Sequence, residues 1–202
     1  MSGLRVAVLY GGRSGEHEVS LRSAEAVMDA LRRKGYRVAP YFIGRDGRWH
    51  PAPILPVPGA NPDIDVVFPV LHGTFGEDGT VQGLLEMAAL PYVGAGVFAS
   101  AAAMDKDLFK RLCRERGLPV VEYVTLSARA LDAAALMRRF PFPVFVKPAN
   151  LGSSVGIHKA HNAAELEAAL ADAARYDTKV LVERAITGLE LECAVLGNDD
   201  PV

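Results

Sequence analysis

Apolar positions along the chain fall into short continuous runs that alternate with segments of helical period. Leu4 to Tyr10 (LRVAVLY) is an almost unbroken apolar and β-branched run that ends in Gly11-Gly12, the pattern of a strand buried on both faces of a parallel sheet. Val19, Ala24, Val27, Met28 and Leu31 then recur on one helical face, Gly35 closes that helix, and Arg37 to Ile43 reads as a second strand. A β-α-β unit is predicted. Residues 44–63 are rich in proline and glycine without a period and read as a surface excursion before the next buried strand, Asp65 to Leu71. Val81 to Ala89 reads as a short helix, Pro91 to Val93 as a short strand and Val97 to Met104 as an apolar helical turn.

The pattern changes at Asp105. A charged helix (Lys106 to Arg116), a strand (Val120 to Leu126), a helix (Ala128 to Arg139) and a strand at 143–147 (PVFVK) open a second, α+β unit. Val155 to Lys159 is a short strand after a glycine-serine loop, Ala163 to Ala174 an alanine-rich helix, and Lys179 to Arg184 and Leu189 to Leu196 two further strands. In the last of these, Leu189, Leu191, Cys193 and Val195 alternate with Glu190 and Glu192, so one face is apolar and the other acidic. Gly197 to Pro201 has hairpin-turn chemistry and Val202 reads as the start of a returning strand. An unpaired strand exposes backbone donors and acceptors, which raises the expectation that the natural protein continues past Val202.

Composition narrows the function classes. With 50% hydrophobic and 23% charged residues the 202-residue chain matches globular usage. A net charge of −2 gives no electrostatic reason for nucleic acid or an anionic membrane as partner. No stretch approaches the roughly 18–20 apolar residues of a membrane span, and MSGLRVAVLYGG is too short for a secretory core, which predicts a cytoplasmic location. Cys113 and Cys193 lie in apolar-periodic segments without metal-ligand spacing and read as reduced packing thiols. Small-molecule chemistry is the class that remains.

Three glycine-containing loops could carry it. The first strand delivers Gly11 to Ser20 (GGRSGEHEVS) to the carboxyl edge of a parallel sheet, where open α/β folds bind ligands. This is not G-x-G-x-x-G, and Glu16 and Glu18 would repel a pyrophosphate; they suit a substrate ammonium or a proton transfer, or they merely complement the helix dipole. His72-Gly73 follows the third core strand at the same edge, where the imidazole either contacts ligand or makes a structural hydrogen bond. Asn150 to Gly156 (NLGSSVG) is a small-residue hairpin whose N–H groups and hydroxyls can close over phosphate. Lys147 precedes it on a strand whose alternation turns Phe145 and Lys147 to one face, so Lys147 can meet phosphate. Glu190 and Glu192 could meet a ribose hydroxyl or a cation, or lie on a solvated strand face.

Taken together, G-G-x-S-x-E-H-E-V-S after the first strand, H-G after the third, M-D-K at 104–106, V-K-P with N-L-G-S-S-V-G, and V-E-R-x-I-x-G-x-E closely resemble the D-alanine–D-alanine ligase family of ATP-grasp enzymes, in order and across nearly the whole chain. The resemblance implies an α/β architecture: a Rossmann-like, pre-ATP-grasp parallel sheet domain over residues 1–103, the first ATP-grasp lobe over 104–188, and only the start of the second lobe over 189–202. It also implies that ATP phosphorylates the carboxylate of one D-alanine and that the amine of a second attacks the acyl phosphate, making the peptidoglycan precursor dipeptide with Mg²⁺ or Mn²⁺ bridging phosphates.

By motif match, Glu16 orients the ammonium of the first D-alanine, Ser153 belongs to the catalytic loop network around Glu16, and His72 lies near that substrate. Lys106, Lys147 and Ser154 hold ATP phosphates, Glu183, Arg184 and the backbone of Ile186 line the adenine pocket, and Glu190 takes the ribose hydroxyls. Arg184 stands where lysine is common. The family's metal ligands, its oxyanion-binding arginine and its mobile loop fall downstream of residue 202, so no metal ligand is assigned and the chain alone is expected to be inactive. A homodimer is the family's usual state, with Val81 to Met104 as a source of interface. Two alternatives stay open: another ATP-grasp carboxylate–amine ligase, and a non-catalytic nucleotide-binding half-protein.

Overall fold

The structure is a computed structural model that describes residues 3–198 and 200–202. In chain order the first half forms β1 (Arg5–Gly11), α1 (His17–Arg33), β2 (Arg37–Ile43), β3 (Trp49–His50), β4 (Val66–Pro69), α2 (Thr80–Met87) and α3 (Val97–Met104). Its sheet has the order β3-β2-β1-β4, with β1 parallel to both β2 and β4 and the two-residue β3 antiparallel at the edge. The near-continuous apolar run of β1 has the expected consequence. Val6 and Val8 pack with Ala24 and Met28 of α1 on one face, while Ala7 and Leu9 join Val67, Val81 and Leu85 on the other. The Arg5 guanidinium forks onto Asp65 just before β4, at 2.7 and 3.1 Å, and draws that carboxyl down to about 2.

The second half forms α4 (Lys106–Glu115), β5 (Tyr123–Ser127), α5 (Ala133–Arg139), β6 (Val144–Pro148), β7 (His158–Ala160), α6 (Ala163–Ala173) and β8 (Lys179–Arg184). Its sheet, β5-β8-β6-β7, is antiparallel throughout. Val144 and Val146 of β6 and Val180 and Val182 of β8 face Leu166, Leu170 and Leu136 of α6 and α5, forming the core on one side. Helix α4 covers part of the other side, where Tyr123, Leu181 and Ala149 form a small cluster.

Several elements differ from expectation for local reasons. The excursion at 44–63 is not purely superficial: it contains β3, and it buries Ile54, beyond which Asn61 closes a turn on the backbone of Leu55. Pro91 to Val93 contributes a single bridge, Val67 to Tyr92, rather than a strand. Helix α5 starts at Ala133 because Asp132 caps it by accepting from Ala135 N. Val155 to Ile157 remain in turns of the glycine-serine loop, so β7 begins only at His158.

The expected strand Leu189 to Leu196 does not form. Strand β8 lies between β5 and β6, so neither of its edges is open to a returning neighbour, and alternation without a partner leaves backbone groups to water. Leu189 and Leu191 are 85% and 80% exposed, and Cys193 is exposed too, which corrects its reading as a packing thiol; Cys113 is half-buried. Leu196 and Val202 exchange two backbone hydrogen bonds across the expected turn, in which Asp199 lies outside the described residues. Among the described residues no helix is long and apolar enough to cross a membrane.

Candidate functional site

Polar side chains fix the loop after β1 against the end of β4. Ser20, fully buried on α1, accepts from Gly11 N and donates to Val70 O, joining helix, β1 and the residue following β4. Ser14 Oγ donates to His72 O at 2.7 Å and accepts from Glu16 N at 3.2 Å, which ties the first loop to the second. His17 is buried against Phe42, and its Nδ1 donates to Gly12 O at 2.6 Å. It serves the loop's shape. Glu16, one residue earlier, is left to project toward the other half of the molecule.

The loop at 72–79 is held by its own acids. Gly73 N donates to Glu77 at 2.8 Å and Phe75 N to Asp78 at 2.8 Å. Gly73 has a φ of +68°, and a β-carbon there would run into Glu16 Oε2, so glycine serves both the turn and the close approach of this carboxylate. His72 Nδ1 lies 3.6 Å from Glu77. Its imidazole lines a cavity of about 740 Å³ between the two halves, with Lys106, Leu151 and Ser154, rather than the smaller space of about 200 Å³ around Glu16 and Ser153.

The third loop is anchored at both ends. Asp177, just before β8, accepts from the backbone and side-chain nitrogens of Asn150 at 2.8 and 2.9 Å. At the far end Gly156 has a φ of +67° and sits where a β-carbon would meet Pro148 and Tyr176 within 3 Å. Between these anchors Ser153 and Ser154 adopt left-handed conformations, with φ of +49° and +59°. Such backbones are sparsely populated by residues other than glycine and cluster at ligand sites. Ser153 Oγ donates to Glu16 Oε1, bridging residues 137 apart in sequence.

Lysines gather beside this loop. Lys106 opens α4 immediately after its cap Asp105; its ammonium donates to the carbonyls of Ala149 and Leu151. Burial lowers its pKa, and the nearby charge of Lys147 lowers it further. Two cations whose charges oppose one another are a pair that an anion would relieve. Lys147 Nζ lies 2.7 Å from Glu183 Oε2, and Lys110 Nζ lies 3.1 Å from Glu183 Oε1. Burial pushes the Glu183 carboxyl up, but the two lysines overcome that effect and hold it below its ordinary value. Beneath them, Lys179 pairs with Asp105, and Asp107 accepts from Thr125 and Arg111 at 2.9 and 3.0 Å.

Of the sequence-derived residues, Glu16 and Ser153 meet directly, and Lys106 and Lys147 stand together beside the Ser154 loop. Glu183 is buried under the lysines, whereas Arg184 ends β8 in solvent and Ile186 and Glu190 lie in the exposed stretch after it. The apolar-versus-acidic faces drawn for Glu190 and Glu192 therefore do not exist here. Lys110, Asp177 and Lys179 escaped sequence reasoning. Only Lys110 had a signal, its four-residue spacing from Lys106 on one helix face. Among the described residues no group of three or more His, Cys, Asp or Glu is placed to hold a metal ion.

Comparison with known proteins gives the lineage. The family described as "D-ala D-ala ligase N-terminus" matches residues 5–61 and 55–95, and that described as "D-ala D-ala ligase C-terminus" matches residues 112–202. A D-alanine--D-alanine ligase of Solibacter usitatus is 63% identical over 199 residues, which is 98% of this chain and 61% of the relative. The D-alanine-D-alanine ligase structure from Coxiella burnetii superposes with a TM-score of 0.90 at 38% identity, covering 100% of this chain and 67% of that one. A D-Ala:D-Ser ligase from Enterococcus faecalis gives 0.88 at 35%, covering 99% and 68%. The chain thus spans about three fifths of the length of its Solibacter relative. Its parallel Rossmann-like sheet followed by an antiparallel grasp lobe is the architecture of these neighbours. The chain belongs to the D-alanine–D-alanine ligase family.

Proposed function

We propose that this chain supplies the amino-acid site and the first nucleotide lobe of an ATP-dependent D-alanine–D-alanine ligase acting in the cytoplasm. Residues 1–103 carry the amino-acid side, 104–188 the nucleotide side, and 189–202 open the second grasp lobe. In the reaction a carboxylate oxygen of one D-alanine attacks the γ-phosphorus of ATP and ADP leaves. The amine of a second D-alanine then attacks the acyl carbon, phosphate departs, and the amine gives up a proton.

The observation that carries this reading is the contact of Glu16 with Ser153, which puts an acid from one half against the phosphate-type loop of the other, beside Lys106 and Lys147. An ammonium takes a carboxylate partner and a polyphosphate takes lysines. Glu16 thus orients the first D-alanine, with Ser153 holding that carboxylate in place and His72 near by. Lys106, Lys147 and Ser154 hold phosphate; Glu183, Arg184 and the Ile186 backbone receive adenine, and Glu190 the ribose. Bound Mg²⁺ or Mn²⁺ would neutralise phosphate charge. Among the described residues the acids do not form a shell for it.

Calorimetry on the purified chain tests this. Glu16→Gln should weaken D-alanine binding by about tenfold or more while leaving ATP binding within about twofold, and Lys147→Met should do the reverse, as expected for loss of a charge-assisted contact. Equal binding of L-alanine and D-alanine, or of neither, would defeat the assignment. A second copy of the chain is proposed to cover the apolar face around Val93, Val97 and Phe98, the last 74% exposed. Phe98→Glu should then convert a dimer to a monomer in sedimentation.

A further inference from the structure

Glu183 is a carboxylate 4% exposed with two cations competing for it. They approach from different elements: Lys147 from the neighbouring strand β6 and Lys110 from α4 above the sheet. The cross-strand register places Tyr123, Glu183 and Phe145 in one row, and α4 lays Lys110 and Arg114 over Tyr123, with the charged groups 5.2 and 4.5 Å from its ring. Lys110 is therefore wedged between helix and sheet, its side chain 15% exposed, whereas that of Lys147 is 24% exposed and adjoins Lys106.

The hydrogen bonding of Glu183 is lopsided. Lys147 makes a full bond to Oε2 at 2.7 Å, while Oε1 has its ammonium at 3.1 Å but no well-directed donor. Oε1 thus keeps acceptor capacity for Lys110. A buried carboxylate is tolerated only when paired, because its lost hydration has to be replaced by a charge and hydrogen bonds. Lys147 cannot serve a polyphosphate and remain the sole partner of Glu183.

We propose that Lys110 is a positioning residue for nucleotide binding: it is the standing counter-ion of Glu183, which releases Lys147 to the polyphosphate. This rests on the reading of Lys147 as a phosphate partner. When the anion arrives, Lys147 exchanges one set of oxygens for another and Lys110 closes on the buried carboxylate. Without Lys110, Lys147 is trapped on Glu183, and the fraction of molecules competent to bind phosphate falls.

Two readouts on the purified chain test this, one of them without ligand. Tripolyphosphate, which has no adenine to contact Glu183, is titrated into wild type, Lys110→Met, Lys110→Arg and the double variant Lys110→Met/Glu183→Gln. Lys110→Met should bind about tenfold or more weakly, through the reduced competent fraction. Lys110→Arg should restore binding by keeping the charge, and the double variant should restore it by removing the trap. In parallel, acetylation of Lys147 by acetic anhydride is followed by peptide mass spectrometry. It should slow in Lys110→Met and recover in the double variant.

A purely structural lysine would not be rescued by neutralising Glu183. Equal Lys147 acetylation in wild type and Lys110→Met overturns the proposal, as does undiminished tripolyphosphate binding by folded Lys110→Met. Slowed acetylation in a chain whose wild type binds no tripolyphosphate overturns it through the nucleotide reading rather than through the ion-pair exchange. Should Lys110→Met fail to fold, the same comparison between Lys110→Arg and the double variant decides it: loss of binding in the double variant overturns the proposal.

Discussion

In the first sheet the middle of the central β1 is sandwiched, Val6 and Val8 against α1 and Ala7 and Leu9 against the opposite core. The second sheet has one fully packed face, while its other face carries Glu183, Lys147 and Phe145 under a helix that covers only part of it. Chemistry on the first sheet consequently sits at the ends of strands, in loops that follow Gly11 and Leu71. On the second, Lys147 and Glu183 sit on the strands themselves, on the face opposite the packed one, beside the loop that carries Ser153 and Ser154. A sheet buried on both faces has room for ligand only at its edge, whereas a half-covered sheet can use its own surface.

Substitutions on the two sheets should break this contrast or sharpen it. Leu9→Ala, at a fully buried site, should destabilise the first sheet by about 2–5 kcal/mol in urea denaturation, the range for large-to-small core changes. Glu183→Ala should destabilise the second by about 3 kcal/mol, near the low end for breaking a buried ion pair. A neutral result would mean that the charged face is a surface in all but geometry.

The same carboxyl should make stability pH-dependent. Glu183 titrates below its ordinary 4.5, so its contribution is complete above that pH and is lost as the pH falls through and below it. The melting-temperature gap between wild type and Glu183→Gln should therefore narrow between pH 7 and pH 3. Ser20→Ala, which removes the hydroxyl bridging Gly11 N and Val70 O, should destabilise by about 1–3 kcal/mol, the range for an orphaned buried backbone group. Smallest of all, limited proteolysis should cut first within residues 187–198 and leave the melting temperature unchanged, since their apolar side chains are already in water.

Most elements were legible because their periodicity is strong: the uninterrupted LRVAVLY, the helical face from Val19 to Leu31, and the alternation of PVFVK each appear where the pattern puts them. Leu189 to Leu196 shows the limit. Its alternation is as regular as that of β6, but pairing depends on which strand edges are vacant, and that is decided by Tyr123–Ser127 and Val144–Pro148 flanking β8. The loops carrying Glu16 and Ser153 were each readable as ligand loops from glycine and position. Their meeting was not readable from local pattern, because it joins residues 137 apart through the packing of two separate sheets. Lys110 was hidden for a related reason: helical spacing places it beside Lys106, yet only cross-strand register reveals the buried acid below it.

The placement of β8 also orders events in time. Among the described residues it is the last strand in order but an interior one in its sheet, paired on both sides. A nascent chain that has emerged through residue 160 can complete the first sheet and close the β6–β7 hairpin, while β5 still lacks a neighbour. Domains form as units from the N-terminal side during synthesis, so the second sheet is completed late, when residues 179–184 join β5 to the β6–β7 hairpin. That same step delivers Glu183 beneath Lys110 and Lys147, and Asp177 and Lys179 to the base of the glycine-serine loop. The lysine–Glu183 cluster and the sheet that supports it thus come into existence together.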